Sequence, residues 1–311
     1  MTPEIFRDWR ALPPAARGAA VALGNFDGVH LGHAAVIDVA RAPGRTLACL
    51  TFEPHPREFF RPADPPFRLT LPPERAAALG QLGVQRIFEL PFDAALSQLP
   101  AEAFVRQVLV EGLGVSRVAC GPDFVFGHRR GGDVALLRRL AEAHGFELAV
   151  APPAMAADGT PVSSTAVRQA LAAGDLARAH ALLGRDYVIA GEVVHGDKLG
   201  RTLGYPTANI PLGRLQAPRH GIYAVSAEID GVRVPGVANV GVRPTVRETP
   251  PTLEAFFFDF AADLYGRRLA VRLHAFLRPE KRFPTIAAMV EQIAVDVLDA
   301  RRLLDVAPPA A

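Results

Sequence analysis

The first half of the chain alternates between short apolar runs and amphipathic or alanine-rich runs, and this alternation constrains the fold most. Apolar runs of this length are typical of buried strands, and the segments between them have the composition and length of helices. Strands that alternate with helices favour a parallel sheet covered by helices on both faces. The expected strands are 19–26, 46–52, 84–92, 115–121 and 146–152, and the expected helices are 33–41, 74–83, 100–114 and 133–145.

Polar, glycine-rich segments follow three of the expected strands. They are GNFDGVHLGH at 24–33, TFEPHP at 51–56 and GPDFVFGHRRGG at 121–132. Open α/β sheets bind their ligands at the carboxyl ends of the strands. We therefore expect a ligand site where these three segments meet.

The pattern changes near residue 185, where short β-rich segments replace the alternation. Gly, Pro and Asp separate these segments, and Asp230-Gly231 between two of them predicts a hairpin. Short strands of this kind favour a small antiparallel barrel. The segment 284–304 carries a helical stripe and predicts a helix that covers the open side of the barrel rather than a cofactor box. The stripe residues are Ile286, Met289, Val290, Ile293, Val297 and Leu298.

Composition excludes several classes of protein. The 311 residues suffice for about two domains. Lys and Arg number 34 against 32 Asp and Glu, a balance that does not favour a nucleic-acid binder. Cys49 and Cys120 lie in apolar runs and predict small buried side chains in a reducing compartment. With no signal-peptide pattern and no membrane-length apolar stretch, we expect a cytoplasmic protein without a membrane partner.

His30 and His33 admit three interpretations: a metal pair, a packed pair without function, or part of a phosphate site. A metal pair needs further ligands, which His55 or His128 could supply. The phosphate interpretation explains more residues, because a helix that begins near His33 favours anions at its N-terminus. Glycines at 24, 28 and 32 allow the backbone to approach a ligand closely.

PVSSTAVRQAL at 161–171 predicts a second helix start that could bind an anion. Ser163, Ser164 and Thr165 are N-cap candidates, and Arg168 is expected on the first helical turn. A hydroxyl, backbone donors and a guanidinium together suit a polyphosphate. Capped helices with a nearby arginine are also common without any ligand.

EVVHGDKLGRTLGYPTANI at 192–210 is a second candidate phosphate segment. It does not fit the common P-loop pattern. Thr207 and Asn209 lie two residues apart, hence on the same side of an extended chain, and offer hard oxygen ligands for Mg²⁺. The phosphate candidates are Gly196, Lys198, Gly200 and Arg201.

The motifs GNFDGVHLGH, TFEPHP, GPDFVFGHRRGGD and VSSTAVR resemble, in order and spacing, the adenylyltransferase module of the prokaryotic bifunctional riboflavin kinase/FAD synthetase family. The remaining half, from LGRDYVIAGEVVHG through GRTLGYPTAN, NVGVRPT and LRPEKRF, resembles the riboflavin kinase module of the same family. The resemblance implies a Rossmann-like nucleotidyltransferase domain over 1–184 and a β-barrel riboflavin kinase domain with a C-terminal helix over 185–311. It implies phosphorylation of riboflavin to FMN, then adenylylation of FMN to FAD, with ATP and Mg²⁺.

The resemblance also implies residue roles in the first module. His30 and His33 contact the ATP phosphates and act in catalysis, and Ser164 and Arg168 hold the phosphate tail. Gly24, Asn25, Phe26 and Asp27 shape the ATP pocket, and Arg68, Asp123, Phe124 and Phe126 bind the flavin. For Asp123 and the two phenylalanines, packing at the strand end is the alternative.

In the second module the resemblance makes Glu254 the catalytic base, against the alternative of a surface charge at a strand end. A base is wanted because the ribityl hydroxyl carries a proton. Arg278 and Glu280 are expected to position the flavin or a flap, although Glu280 could instead pair with Lys281 or Arg282. The sequence departs from the family at Phe256, where a histidine is frequent in the family.

Two other functions remain as alternatives. One is an enzyme with a single working module, such as a kinase with a silent first domain. The other is a flavin-binding regulator that contacts nucleic acid, which the near-neutral charge disfavours. We expect small-molecule partners and a monomer or a weak homo-oligomer.

Overall fold

The computed structural model describes residues 2–196, 203–242 and 250–306. Its contacts divide the chain into two units, one of residues 1–65 and 71–163 and the other of 66–70 and 164–311. The first unit therefore ends within the serine pair Ser163–Ser164, and the expected boundary at 184/185 stays a prediction.

The first unit contains a six-stranded sheet in the order β1-β4-β3-β2-β5-β6, in which every pair is parallel. This confirms the α/β expectation. Its strands are β1 (Glu4–Phe6), β2 (Ala20–Leu23), β3 (Leu47–Glu53), β4 (Arg86–Pro91), β5 (Arg117–Cys120) and β6 (Glu147–Val150).

Helices connect these strands, as parallel pairing requires. They are α1 (Leu31–Ala40), α2 (Pro56–Phe60), α3 (Pro72–Gln81), α4 (Ala94–Ser97), α5 (Ala101–Ala103) and α6 (Val134–His144). The helix expected over 100–114 begins as α5 and continues as a π-helical segment, Phe104–Gly112.

Alternate residues of the central strands face two different cores. Ala48 and Leu50 of β3 join one apolar cluster, whereas Leu47 and Cys49 join the other. Side chains of a strand point to opposite faces in turn, so both faces of this sheet are buried, as for parallel sheets in general. Both cysteines are buried and free, and burial raises the pKa of the Cys120 thiol to about 11.

The second unit contains an antiparallel sheet in the order β7-β12-β9-β10-β11-β8. An antiparallel bridge between Val194 and Asn209 brings the two edges of this sheet together, which supports the barrel expectation. The strands are β7 (Tyr187–Glu192), β8 (Ala208–Pro211), β9 (Gly221–Ile229), β10 (Val232–Gly241), β11 (Thr252–Phe257) and β12 (Arg268–Arg278).

Inward residues of the barrel form its core and exclude water. Val225, Ala227, Leu253 and Val271 are fully buried. Gly191 lies on this inner side, where a Cβ would come within 2.7 Å of the Ile210 side chain. The predicted hairpin is confirmed, since Asp230 and Gly231 both have positive φ angles between β9 and β10.

Three helices complete the second unit: α7 (Ser164–Ala173), α8 (Leu176–Leu183) and α9 (Ile286–Leu303). The helix α9 covers part of the sheet, because Ile293 and Val297 pack with Ala224, Val237 and Phe258. The expected stripe is wrong at its two ends, where Ile286 and Leu298 are 60% and 48% exposed.

Candidate functional sites

The three polar segments of the first unit follow β2, β3 and β5, which are neighbours in the sheet order β3-β2-β5. After β2 the chain adds β3 and β4 on one side of it and then β5 and β6 on the other side, so the order of strands reverses at β2. Open sheets form a ligand crevice at such a reversal. Two hydrogen bonds tie the first segment to β3: the Thr51 hydroxyl donates to the Asn25 carbonyl at 3.1 Å, and the Gly24 amide donates to the Leu50 carbonyl at 3.2 Å.

His30 and His33 are locked together at the start of α1. His30 is the N-cap residue, and its Nδ1 accepts the backbone N–H of His33 at 3.3 Å. In return, the backbone N–H of His30 donates to Nδ1 of His33 at 3.3 Å. The rings stack with their centroids 3.7 Å apart and 17° between their planes. The helix begins at Leu31, so His33 is its third residue rather than the residue at which it starts.

This reciprocal capping decides the tautomer of both rings. Because each Nδ1 accepts a backbone N–H, each ring carries its proton on Nε2. Both imidazoles are therefore N–H donors through the same ring atom, at the N-terminus of a ten-residue helix. Such a pair suits an anion.

Glycine at position 32 is required by this arrangement. A Cβ there would lie 3.0 Å from Nδ1 of His30 and 3.1 Å from the Val162 carbonyl oxygen. Next to it, Asp27 and Phe26 are buried, and Phe26 has a left-handed φ of 50°. The two buried side chains and the missing Cβ at Gly32 fix the conformation of this segment. The metal alternative finds no support here, because no three His, Cys, Asp or Glu side chains converge on a metal position within the described residues.

The predicted flavin residues of the first module lie in different surroundings. Phe126 is buried in the core and stacks on Phe124 at 5.6 Å, whereas Asp123 is exposed. Arg68 belongs to the second unit, where it is almost fully buried and its backbone pairs with that of Leu215. Their flavin role stays a prediction.

Ser164 and Arg168 also belong to the second unit. Arg168 is the fifth residue of α7, which places it on the second helical turn rather than on the first. Its Nε donates to the Phe67 carbonyl at 2.8 Å, and its guanidinium lies 5.3 Å from the centre of the Phe67 ring.

The second unit has a cavity of about 730 Å³, a size typical of small-molecule sites. Ten of its eighteen lining residues are apolar, and the other eight carry polar or charged side chains. The apolar part comes from Leu203, Tyr205, Ile222, Val237, Ala238, Val242, Phe256, Phe283, Met289 and Ile293. Phe256 contributes a T-shaped contact with Tyr205 at 5.2 Å, so it serves as an aromatic wall where the family often has histidine.

Five residues form a line across five neighbouring strands, and we call this line the cross-strand row. Each pair is in direct register, and directly opposed residues of antiparallel strands project from the same face. The row runs Asn209 on β8, Glu254 on β11, Asn239 on β10, Ile222 on β9 and Arg278 on β12. All but Asn209 line the cavity.

Thr207 and Asn209 lie together at one end of the row. The Asn209 amide donates to the carbonyl of Thr207 at 3.1 Å and approaches its hydroxyl at 3.4 Å. With its nitrogen turned to Thr207, the amide presents its oxygen on the other side. Gly196 lies in the described part of the loop before them, whereas Lys198, Gly200 and Arg201 lie outside the described residues.

Arg278 is held at the other end of the row by Asp296 of α9. The two side chains form a bidentate pair with contacts of 2.7 and 2.6 Å, and Asp296 is almost fully buried. Asn239 and Asp296 are residues that the sequence analysis did not single out. Asn239 could have been predicted as a candidate, because it is an amide inside the apolar strand segment VPGVANVG. Asp296 could not, because acidic residues are common on long helices.

The comparisons with known proteins give one family model for each half of the chain. Residues 12–166 match the FAD synthetase family model, and residues 183–304 match the Riboflavin kinase family model. Two curated relatives carry the name bifunctional riboflavin kinase/FMN adenylyltransferase. The Pseudomonas fluorescens protein is 46% identical over 96% of this chain and 97% of its own length, and the Escherichia coli K12 protein is 42% identical over 94% and 95%.

A solved structure described as a macrolide-efflux protein from Streptococcus pneumoniae has a TM-score of 0.83 and 29% identity, covering 95% of this chain and 97% of that one. In residues 2–196, 203–242 and 250–306, no helix combines the length and the apolar character needed to cross a membrane. The two family models and the curated relatives place this chain in the family of bifunctional riboflavin kinase/FMN adenylyltransferases.

Proposed function

We propose that the second unit phosphorylates riboflavin to FMN and that the first transfers AMP from ATP to FMN, which gives FAD and pyrophosphate. The observation that carries the proposal is that two different family models match the two halves of one chain.

In the kinase reaction, Glu254 takes the proton of the terminal ribityl hydroxyl as that oxygen attacks the γ-phosphorus of ATP. Glu254 lies between the amide of Asn209 and the amide of Asn239 in the cross-strand row. Thr207 and Asn209 fit Mg²⁺, since a hydroxyl and an amide oxygen are the hard ligands this ion prefers. When bound, Mg²⁺ supplies charge stabilisation at the phosphates.

In the adenylyl transfer, the attacking group is a phosphate oxygen of FMN, which is already ionised at neutral pH. No general base is required, and catalysis comes from alignment and from stabilising charge on the α-phosphate. His30 and His33 supply two Nε2–H donors for this purpose, held by the caps at 3.3 Å. The contributions of Ser164 and Arg168 to ATP binding, and of Arg68, Asp123 and Phe124 to flavin binding, belong to the proposal.

The wider setting is also part of the proposal: domains 1–184 and 185–311, a cytoplasmic enzyme, a monomer or a weak homo-oligomer, and no nucleic-acid partner. Its direct test is a chromatographic time course of flavins with purified protein, riboflavin, ATP and Mg²⁺. We expect FMN and then FAD. A reaction that stops at FMN would support the single-module alternative, and flavin binding without any turnover would support the regulator.

The residue-level test is Glu254→Gln, which keeps the size of the side chain and removes the base. We expect FMN formation to fall by about 10²- to 10⁴-fold, the usual contribution of a positioned base. FAD formation from supplied FMN should stay within twofold of the wild-type rate. Glu228→Gln is the matched control, because Glu228 is an exposed glutamate on β9 of the same unit. Equal loss of both reactions in Glu254→Gln would refute the assignment.

A further inference from the structure

The cross-strand row places polar and apolar side chains in a fixed sequence along the cavity of the second unit. Neighbouring strands are about 4.8 Å apart, so neighbouring members of the row are about that distance apart. Asn209, the proposed metal ligand, is followed by Glu254, the proposed base, then by Asn239 and by the apolar Ile222. A substrate whose reacting hydroxyl lies at Glu254 and whose ring lies in the apolar part must pass Asn239 between them.

Asn239 carries polar atoms that suit the part of riboflavin between hydroxyl and ring. That part is a polyol chain, with a hydroxyl on successive carbons. A carboxamide both donates to and accepts from such hydroxyls. The Oδ1 atom of Asn239 is buried and has no hydrogen-bond partner among the residues the structure describes. A buried acceptor without a partner is costly, and a ligand hydroxyl relieves that cost.

Glu280 covers this amide in the present structure. Its Oε1 accepts from Nδ2 of Asn239 at 3.3 Å, and its carboxylate lies against Gly241. A Cβ at Gly241 would be 2.0 Å from that oxygen, so glycine is needed for the carboxylate to lie there. Because a carboxylate can only accept, Nδ2 faces Glu280 and the assignment of the two amide atoms is determined.

The Glu280 contact is suited to exchange. The glutamate is exposed, and a single exposed hydrogen bond of 3.3 Å adds little stability. Residues 279–283 follow β12, and four of them, Glu280, Lys281, Arg282 and Phe283, line the cavity. The segment can therefore release Asn239 without disturbing the sheet.

We propose that Asn239 is the residue that recognises the polyol chain of riboflavin and that Glu280 is its reversible cover, which the substrate hydroxyls displace. The inference rests on the proposed kinase function of the second unit. It assigns chain recognition to β10 and leaves ring recognition to the apolar walls.

The test compares riboflavin with lumiflavin, which has the same ring system and a methyl group in place of the polyol chain. Flavin fluorescence quenching with the full-length protein gives both dissociation constants. For Asn239→Ala we expect riboflavin to bind about tenfold more weakly, and lumiflavin to bind within twofold of wild type. Equal weakening of both ligands, or of neither, would overturn the proposal.

Gly241→Ala and Glu280→Ala test the cover separately, because each removes the carboxylate contact and leaves Asn239 in place. We expect both variants to bind riboflavin as tightly as wild type or up to about threefold more tightly, since a competitor of the hydroxyls is lost. Weakening by either variant as large as that of Asn239→Ala would contradict the cover. Lumiflavin binding within twofold of wild type reports that the second unit of each variant is folded. Absence of FMN formation in the wild-type protein would instead refute the kinase function itself.

Discussion

At the scale of single residues, two glycines are needed because another side chain takes the space of a Cβ. At Gly32 the neighbour is the imidazole of His30, and at Gly241 it is the carboxylate of Glu280. Neither glycine has a left-handed φ. Their requirement is therefore steric and local to a candidate site, not conformational.

Gly32→Ala should damage the first site while leaving the helix intact. Alanine favours a helix by up to about 1 kcal/mol over glycine, so α1 should not be destabilised. The new methyl would move the His30 ring, and a displacement of about 1 Å can cost about 10²-fold in rate. We expect FAD formation from FMN to fall by 10- to 100-fold, measured by chromatography, with FMN formation unchanged. An unchanged FAD rate would show that the position of the imidazole is unimportant.

Asp296→Asn should weaken flavin binding in the second unit. The variant keeps the shape of the side chain but removes the charge that holds Arg278 in a bidentate pair. We expect the KM for riboflavin to rise about tenfold, which corresponds to about 1.4 kcal/mol. Glu291→Gln, at an exposed position of the same helix, should leave KM unchanged. A normal KM in Asp296→Asn would mean that Arg278 does not need this partner.

At the scale of elements, a half-buried polar cluster joins α8 to the barrel. Asp186 lies 3.5 Å from Nδ1 of His180 on α8 and 3.3 Å from Nδ1 of His274 on β12. On its other side, Nε2 of His274 contacts the Ser226 hydroxyl at 2.8 Å and Arg233 at 3.3 Å. Arginine can only donate, so this ring nitrogen accepts and His274 is neutral.

Acid should therefore destabilise the second unit. Burial lowers the pKa of both His180 and His274 below 6.5, and Arg233 and Arg272 lower that of His274 further, although Asp186 opposes the shift. The unfolded chain then binds more protons than the folded chain once the pH falls below about 6.5. The stability contribution is complete above that pH and decreases below it, down to the folded-state pKa values.

The measurement is the urea concentration that halves kinase activity, at pH 7.5 and at pH 5.5. We expect a lower midpoint at pH 5.5 for wild type. In the double variant His180→Gln, His274→Gln, the difference between the two pH values should shrink. An equal difference in both proteins would place the acid sensitivity elsewhere.

At the scale of the whole molecule, the chain divides into two compact units, and each of the two family models matches most of one unit. If each unit carries one reaction, loss of one leaves the other intact. A mixture of Glu254→Gln and His30→Ala proteins should therefore convert riboflavin to FAD, although neither variant does so alone. Chromatography of the flavins checks this, with each single variant as the control. Failure of the mixture would mean that FMN does not pass between molecules through solution.

The sequence by itself predicted much of this protein. The alternation of residues 19–152 predicted the parallel sheet, because burial on both faces requires continuous apolar strands. The short β-rich segments after residue 185 predicted the antiparallel sheet, and Asp230-Gly231 predicted a hairpin that the φ angles confirm. The three-residue edge strand β1 was missed, since three residues carry no periodic signal.

The tertiary structure decided what depends on register and on close approach. Asn209, Glu254, Asn239 and Ile222 are far apart along the chain and share one line because of the pairing of four strands. The ion pair of Arg278 with Asp296 likewise joins a strand to a distant helix, whereas the reciprocal caps of His30 and His33 are local to the start of α1. Local composition determines which elements form, because it sets periodicity and turns. Strand register determines which side chains meet, and a one-residue slip would send each of them to the opposite face.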